Sequence, residues 1–382
     1  MASILTVNAG SSSLKFALFD VADGQNRRVW GQVERIGGDA RLRWRNREGR
    51  ETTRQLGHGC DSAGALDAVL DAIGGLGTAA IVGHRIVHGG SDFVEPRLID
   101  ADSLARLEAL DPLAPLHQPH NLAAIRRFFA VAPELPQVGV FDTGFHARMP
   151  PVAKRLGLPQ AFHQRGIRRY GFHGLSYQHA ASQLRERVPA ARRAIVAHLG
   201  NGASLCALRD GRSVETTLGF SALDGLLMGT RCGSLDPGVI LHLLDVDRMD
   251  LSELEDLLYR RSGLLGVSGL SQDMRDLLAS DDADARAAVD LFVYRVIRET
   301  GALYSVLGGL DALVFTGGIG ENAAAIRHAI AEGLAWTGLV LDPDANRTGA
   351  ADLHAAASAL PCLIVHCDEE QVIADACRNL LQ

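Results

Sequence analysis

The chain has 382 residues, 47% of them hydrophobic and 22% charged, with a formal net charge of −7. That composition supports two or three folded domains with sizeable cores and excludes a disordered chain. The acidic balance gives no electrostatic reason to bind nucleic acid or an anionic membrane, and no run of about 18 apolar residues reads as a membrane span.

The opening MASILTVNAGSSS has no basic n-region and runs straight into a strand, so a cytoplasmic protein is expected. Ile4 to Asp20 reads as a hairpin, and the basic stretch Arg41 to Arg54, interleaved with Glu48 and Glu51, as a solvated one. Ala79 to Val82 is a short buried-type strand leading into GHRIVHGG. Leu104 to Leu110 and Leu122 to Val131 have helical spacing, and Val138 to Phe141 is a strand ending in Asp142. Pro150 and Pro151 mark a boundary between an expected first domain, 1–149, and a second, 150–368. The second opens with a hairpin over Ala194 to Asp210. Helices follow at Ser252 to Tyr259 and Ala283 to Leu307, then a strand, Ala312 to Thr316, leading into GGIGEN. The last strand, Leu363 to His366, ends in DEE, and the final helix, about 369–382, is expected to pack back on the first domain. The six cysteines show neither CxxC spacing nor the density of a disulfide framework, which argues for reduced thiols and against a structural zinc site.

The two hairpins read as one repeated unit. Aligned without gaps, ILTVNAGSSSLKFALFD and AIVAHLGNGASLCALRD share Gly10 with Gly200, Ala17 with Ala207, Leu18 with Leu208 and Asp20 with Asp210. A duplicated domain follows, with a nucleotide held in the cleft between the copies and a hairpin loop from each against the phosphates. In Asn8 to Ser13 and in His198 to Ala203, small residues on a tight turn let backbone N–H groups and hydroxyls point at an anion, and Lys15 lies just beyond the first loop. Thr316 to Asn322, TGGIGEN, lets backbone approach a nucleotide and aims a helix start at negative charge. Arg85 and Arg231 lie in the glycine-flanked, turn-rich segments GHRIVHGG and MGTRCGSLDPG. Two guanidinium groups suit a phosphoryl group in transfer, whose charge spreads over three oxygens. Asp142, beyond a strand's carboxyl end, fits either a metal-orienting carboxylate or a turn-initiating Asp-Thr-Gly.

VNAGSSSLKF, GHRIVHGG, LAPLHQPHN, FDTGFH, RRYGFHG, HLGNGAS, MGTRCGSLDPG, SGLSQDMRD, TGGIGEN and DEEQVIA occur in this order across the chain. Together they resemble the acetate kinases, within the acetate and sugar kinase, Hsc70 and actin superfamily. The resemblance implies an α/β protein of duplicated actin-like (ribonuclease H-like) domains with the nucleotide cleft between them. It implies reversible phosphoryl transfer from ATP to acetate with Mg2+ or Mn2+, and a homodimer. It further implies catalytic roles for Asp142, Arg85, Arg231 and His173, and metal contacts from Asn8 and Glu369. Lys15, His198, Leu199, Gly200, Asn201, Gly202, Asp273, Met274, Arg275, Gly317, Gly318, Ile319, Gly320 and Asn322 would bind nucleotide. Arg85, Val87, Leu116 and Phe172 would hold the substrate, the last three walling a pocket for its methyl group. Taken alone, His173 reads as a loop histidine satisfied locally, and Asp368-Glu369-Glu370 as the acidic first turn of a helix; either adjacent glutamate suits the metal.

Departures from the family pattern fall at Gln118, Tyr177, Ala222, Cys232 and Ser234, where Asn, His, Pro, Ser and Asp are expected. Gln118 and Ala222 are expected on the substrate side, so a longer acyl chain comes into play and a propionate or butyrate kinase is the alternative. An actin-like filament former or an Hsc70-like nucleotide switch would need neither the small apolar pocket nor the two arginines.

Overall fold

The computed structural model describes every residue except Met1, Ser11, Gln25 and Gln382, so part of the Asn8–Ser13 loop lies outside the described residues. Two compact units form: Met1–Ala147 with Asp368–Gln382, and Arg148–Cys367.

In the first unit eight strands make one sheet: β1 (Ser3–Ala9), β2 (Ser13–Asp20), β3 (Arg27–Glu34), β4 (Asp39–Asn46), β5 (Glu51–His58), β6 (Ala79–Ile86), β7 (Arg97–Leu98) and β8 (Gln137–Phe141). Their order is β5-β4-β3-β2-β1-β6-β8-β7. Every residue of β1 is buried, as a central strand covered on both faces requires, whereas β5 at the edge has none fully buried. Leu5, Phe16, Val33, Leu42 and Phe128 belong to its main core, which Ala65, Leu66 and Val69 of the helix Ser62–Ala72 help to close. Asp61 starts that helix by accepting the Gly64 N–H at 2.8 Å. The helix Glu369–Leu381 lies on β1 and β6. Gly83 permits this: a Cβ there would sit 2.4 Å from Ile373 and 2.5 Å from Cys377.

In the second unit five strands, β9 (Arg193–Leu199), β10 (Ala203–Arg209), β11 (Arg212–Thr216), β12 (Ala312–Thr316) and β13 (Cys362–Ile364), run in the order β11-β10-β9-β12-β13. The helices Gly174–Arg187 and Ala283–Leu307 pack on this sheet. Asp282 caps the second of these, and Gly308, in the left-handed region at φ +70°, ends it.

The duplication is visible in the topology. β3-β2-β1-β6-β8 and β11-β10-β9-β12-β13 both read antiparallel, antiparallel, parallel, parallel. The gapless alignment needs correction, however. Four residues link Ala9 to its partner Leu14, but three link Leu199 to its partner Ala203. Ala17 therefore pairs with Thr6, whereas Ala207 pairs with Ile195, a position that aligns with Leu5. The identities at Ala17/Ala207, Leu18/Leu208 and Asp20/Asp210 are not structural equivalences, because one residue of turn length moves a strand's side chains to the other face.

A second correction concerns β6. It continues through Gly83, His84 and Arg85 to Ile86, so these residues sit on a strand and not in a turn; only the Val87–Gly90 portion of GHRIVHGG is loop.

Candidate active site

β1, β6 and β8 are parallel neighbours, so their carboxyl ends lie together, the edge at which ligands gather in open α/β sheets. Asn8, Arg85 and Asp142 stand there, and Glu369 opens the helix laid across β1 and β6. The Arg85 guanidinium fits into a cup of oxygens. Its Nη2 is 2.7 Å from Asp142 Oδ2, Nε is 3.2 Å from both Asp142 oxygens, and Nη1 is 3.2 Å from Asn8 Oδ1 and 3.3 Å from Glu369 Oε2. Asn8 Nδ2 donates to Glu369 Oε2 at 2.7 Å, against 3.5 Å to Glu370, so Glu369 is the glutamate drawn into this cluster. Burial raises the Glu370 carboxyl, opposed by Lys15 and reinforced by Glu369. Lys15 lines a cavity of about 240 Å³ with Trp30, Gln32, Arg43 and Glu370.

The loop after β6 is tied down by three buried polar side chains, Asn121, Thr143 and Gln118. Asn121 accepts the Val87 N–H at 2.9 Å and donates to the Ala9 carbonyl, so it joins the ends of two strands. Thr143 accepts the Gly89 N–H. Gln118 is wholly buried, and its amide is spent on the backbone of His88 and the Leu107 carbonyl. That departure from the family pattern thus supports the loop and is not offered to a substrate. Val87 is buried and Leu116 half-buried; both belong to the first unit, whereas Phe172, 1% exposed, belongs to the second.

In the second unit the turn Gly200-Asn201-Gly202 joins β9 to β10, and His173 precedes the helix Gly174–Arg187 with φ +58°, a left-handed conformation seldom adopted outside glycine. His173 stacks on His198 with ring centroids 4.4 Å apart. Each ring is held at Nδ1 by a serine hydroxyl, Ser204 for His173 and Ser176 for His198, both at 2.8 Å. A Cβ on Gly202 would come within 2.7 Å of Arg231 Nη2 and 3.2 Å of His173 Nε2, so only glycine leaves these two groups their place beside the turn. Arg231 Nη1 donates to the Ala222 carbonyl at 2.5 Å. Among the described residues no carboxylate pairs with it, and burial pushes its guanidinium down to about 10, still a cation at neutral pH. A partly desolvated guanidinium with no carboxylate among the described residues, beside a backbone turn and an imidazole, suits an anion.

TGGIGEN folds differently from its expected shape. The glycines themselves form the first turn of a helix, Gly317–Asn322, and the Gly317 N–H is taken by Glu321 Oε1 at 2.9 Å instead of being offered to a ligand. Gly318 is exposed, Ile319 half-buried and Gly320 buried, and Asn322 donates to the Gly318 carbonyl. Gly317, at φ +80°, abuts the Leu199 backbone, so this segment lies against the end of β9. The buried Arg327 holds it from behind, donating to the Gly320 and Glu321 carbonyls and to Asn346. Asp273 caps the short helix Met274–Leu278 and pairs with Arg275 at 2.6 Å; Met274 is buried and the Arg275 side chain exposed. A groove of about 250 Å³ runs between the helices Ala283–Leu307 and Ala324–Gly333, and none of the predicted nucleotide residues lines it.

Comparison with known proteins gives one consistent answer. The model of the Acetokinase family matches residues 3–375. An acetate kinase from Rhodopseudomonas palustris is 48% identical over 385 aligned positions, covering 97% of this chain and 96% of that protein. Among solved structures, a propionate kinase from Francisella tularensis superposes with a TM-score of 0.91 at 37% identity, covering 98% of this chain and 99% of that one. An acetate kinase from Porphyromonas gingivalis does so at 0.88 and 32%, with both chains covered completely.

Proposed function

The chain belongs to the Acetokinase family, with the duplicated actin-like fold, and from that premise we propose that it transfers the γ-phosphoryl group of ATP to acetate, reversibly and by direct in-line displacement. The observation that carries this reading is Arg231, a half-buried cation with no carboxylate partner among the described residues, placed with His173 Nε2 beside Gly202 of the turn.

Acetate, with a carboxylate pKa of about 4, is already ionised at neutral pH, so no general base is needed. The barrier is the approach of one anion to another. An acetate oxygen forms the new O–P bond, the bond from the γ-phosphorus to the bridging oxygen breaks, and its electron pair leaves with ADP. We assign Arg231 and His173 to the equatorial oxygens of the phosphoryl group, and Arg85, fixed in orientation by Asp142, to the carboxylate. The turn glycines and the segment Gly317–Asn322 take the nucleotide phosphates.

Use of ATP with a divalent metal goes with the family; we propose Mg2+. Asp142 and Glu369 with the Asn8 amide oxygen supply hard oxygen donors of the type it takes, and Asn8 and Glu369 would hold it. Among the described residues no three acidic, histidine or cysteine side chains form a metal cage on their own, so phosphate and water would fill the remaining positions. When bound, the ion supplies neutralisation of phosphate charge.

Ala222 favours a second reading. Its carbonyl accepts from Arg231, and its methyl stands where the family pattern has a proline ring, which would leave an acyl pocket there room for propionate. One methylene is worth about 1–3 kcal/mol in such a pocket. Hydroxamate trapping of the acyl phosphate with acetate, propionate and butyrate decides: the highest kcat/KM for acetate supports the main reading, and a maximum at propionate replaces it. A kinetically competent covalent phosphoprotein would contradict direct transfer.

A homodimer is part of the same proposal. The helix Pro237–Asp245 has no buried residue and exposes Val239, Leu241 and Leu244, continued by Val246 and Leu251. So large an apolar face suits a second copy of the chain. Light scattering that gives monomer mass at micromolar concentration would refute it. Among the described residues no helix is long and apolar enough to cross a membrane; we propose a cytoplasmic enzyme.

A further inference from the structure

Both stacked histidines stand at the end of a chain of hydrogen bonds. For His198 the chain begins at a thiol: Cys367 Sγ donates to Ser176 Oγ at 3.5 Å, and Ser176 meets His198 Nδ1 at 2.8 Å. For His173 it begins at Tyr177, whose Oη is 2.5 Å from Ser204 Oγ, which in turn is 2.8 Å from His173 Nδ1. Tyr177 and Ser204 are both wholly buried, and Ser204 is the cross-strand partner of His198. Burial pushes the Tyr177 phenol well above its usual range, so it keeps its proton at any working pH. A phenol is a more acidic hydroxyl than a serine alcohol and is the natural donor of the pair.

We propose that Tyr177 is a positioning residue: its hydroxyl donates to Ser204, Ser204 donates to His173 Nδ1, and His173 is thereby fixed as the neutral tautomer with its proton on Nε2, facing Gly202 and Arg231. The assignment rests on the reading of His173 as a donor to the transferring phosphoryl group. Three observations converge on it. The Nε2 atoms of both rings face the turn, 3.2 Å from a Cβ position on Gly202 and 4.0 Å from one on Gly200. Two imidazoles at 4.4 Å repel if both are charged, so the stack disfavours a pair of protonated rings. A second hydrogen bond that fixes the tautomer of a functional histidine is the usual means of presenting its other nitrogen. With the opposite tautomer, Nε2 would carry a lone pair toward an anion, and the contact would be repulsive.

The test has a part that does not depend on activity. In the full chain labelled with 15N-histidine, long-range 1H–15N correlation should show His173 protonated at Nε2 and bare at Nδ1; the reverse tautomer overturns the proposal even if phosphoryl transfer is intact. Conversely, an Nε2–H ring in a protein that makes no acyl phosphate leaves this assignment standing and removes the functional reading. Tyr177→Phe keeps the ring and removes the donor. It should lower kcat by about 10–100-fold, the scale of losing a supporting hydrogen bond, with little change in the KM for ATP and a mixture of His173 tautomers. Tyr177→His, which restores an N–H donor, should recover most of that loss. Unchanged kcat in Tyr177→Phe, or a Tyr177→His variant no better than it, overturns the proposal; should Tyr177→Phe fail to fold, the tautomer of the unmodified protein decides.

Discussion

Arg85 in the first unit and Arg231 in the second are held in opposite electrostatic states. Arg85 is compensated: two carboxylates and an amide oxygen surround its guanidinium, and Asp142 grips it through two nitrogens. Among the described residues Arg231 has a backbone carbonyl at 2.5 Å and no carboxylate, and partial burial costs it solvation. An arginine whose charge is already balanced is an oriented part of the scaffold and adds little net field. One whose charge is unbalanced waits for an anion. The difference separates a residue whose loss is felt first in stability from one whose loss is felt first in rate.

The sharpest way to break this comparison is Arg231→Met. Removing a cation that meets transition-state charge should lower kcat by about 10³–10⁵-fold, with ATP affinity changed modestly. Thermal stability should stay level or rise, since an apolar side chain replaces a desolvated charge. A variant that turns over normally removes Arg231 from the catalytic set, and one that melts early shows that its charge is compensated after all. Arg85→Met should cost stability as well as acetate binding. It strips a cation from between the buried carboxylates of Asp142 and Glu369, a loss of roughly 3–5 kcal/mol in denaturant unfolding of the first unit. Equal stability losses for the two variants would erase the distinction.

How much of this was legible beforehand depended on the range of the interactions involved. The hairpins, the helix Ala283–Leu307 and the strand Ala312–Thr316 follow from local apolar patterning, which a single strand or helix imposes on its own residues. The register of the second hairpin did not follow, because a turn one residue shorter leaves identical letters in line while reversing which face they occupy. GHRIVHGG suggested a turn at Arg85, since glycines usually mark one. Gly83 is instead a strand residue that makes room for a helix beginning nearly 300 residues later, and no local signal reports such a partner. The serines that orient the histidines were invisible for a related reason: Ser176 and Ser204 are ordinary small residues until the fold sets them against His198 and His173. Glu321 and Arg327, which shape the glycine-rich segment, gave no signal beyond their charge.

The smallest predicted effect belongs to the residue beside Arg85 on the same strand. His84 points to the opposite face, into the core, where its ring meets Phe128 edge-on and its Nε2 lies 2.8 Å from Gln137 Oε1. Its Nδ1 and the Gln137 Nε2 are buried without a partner among the described residues. Burial pushes this imidazole down to about 4, so it folds neutral. In the unfolded chain a histidine takes up its proton near pH 6.5. Between those two values the unfolded state therefore binds more protons, and stability falls as pH falls through the window, by about 3 kcal/mol in total from this group. Above pH 6.5 the contribution is fully present, and below pH 4 no more is lost. Unfolding free energies measured from pH 7 to 4 should show this slope on top of that from the carboxylates, and the double variant His84→Phe, Gln137→Leu should flatten it by that amount. An unchanged slope would mean that His84 is protonated in the folded chain, and the neighbouring cation Arg85 would then need more compensation than Asp142, Glu369 and Asn8 supply.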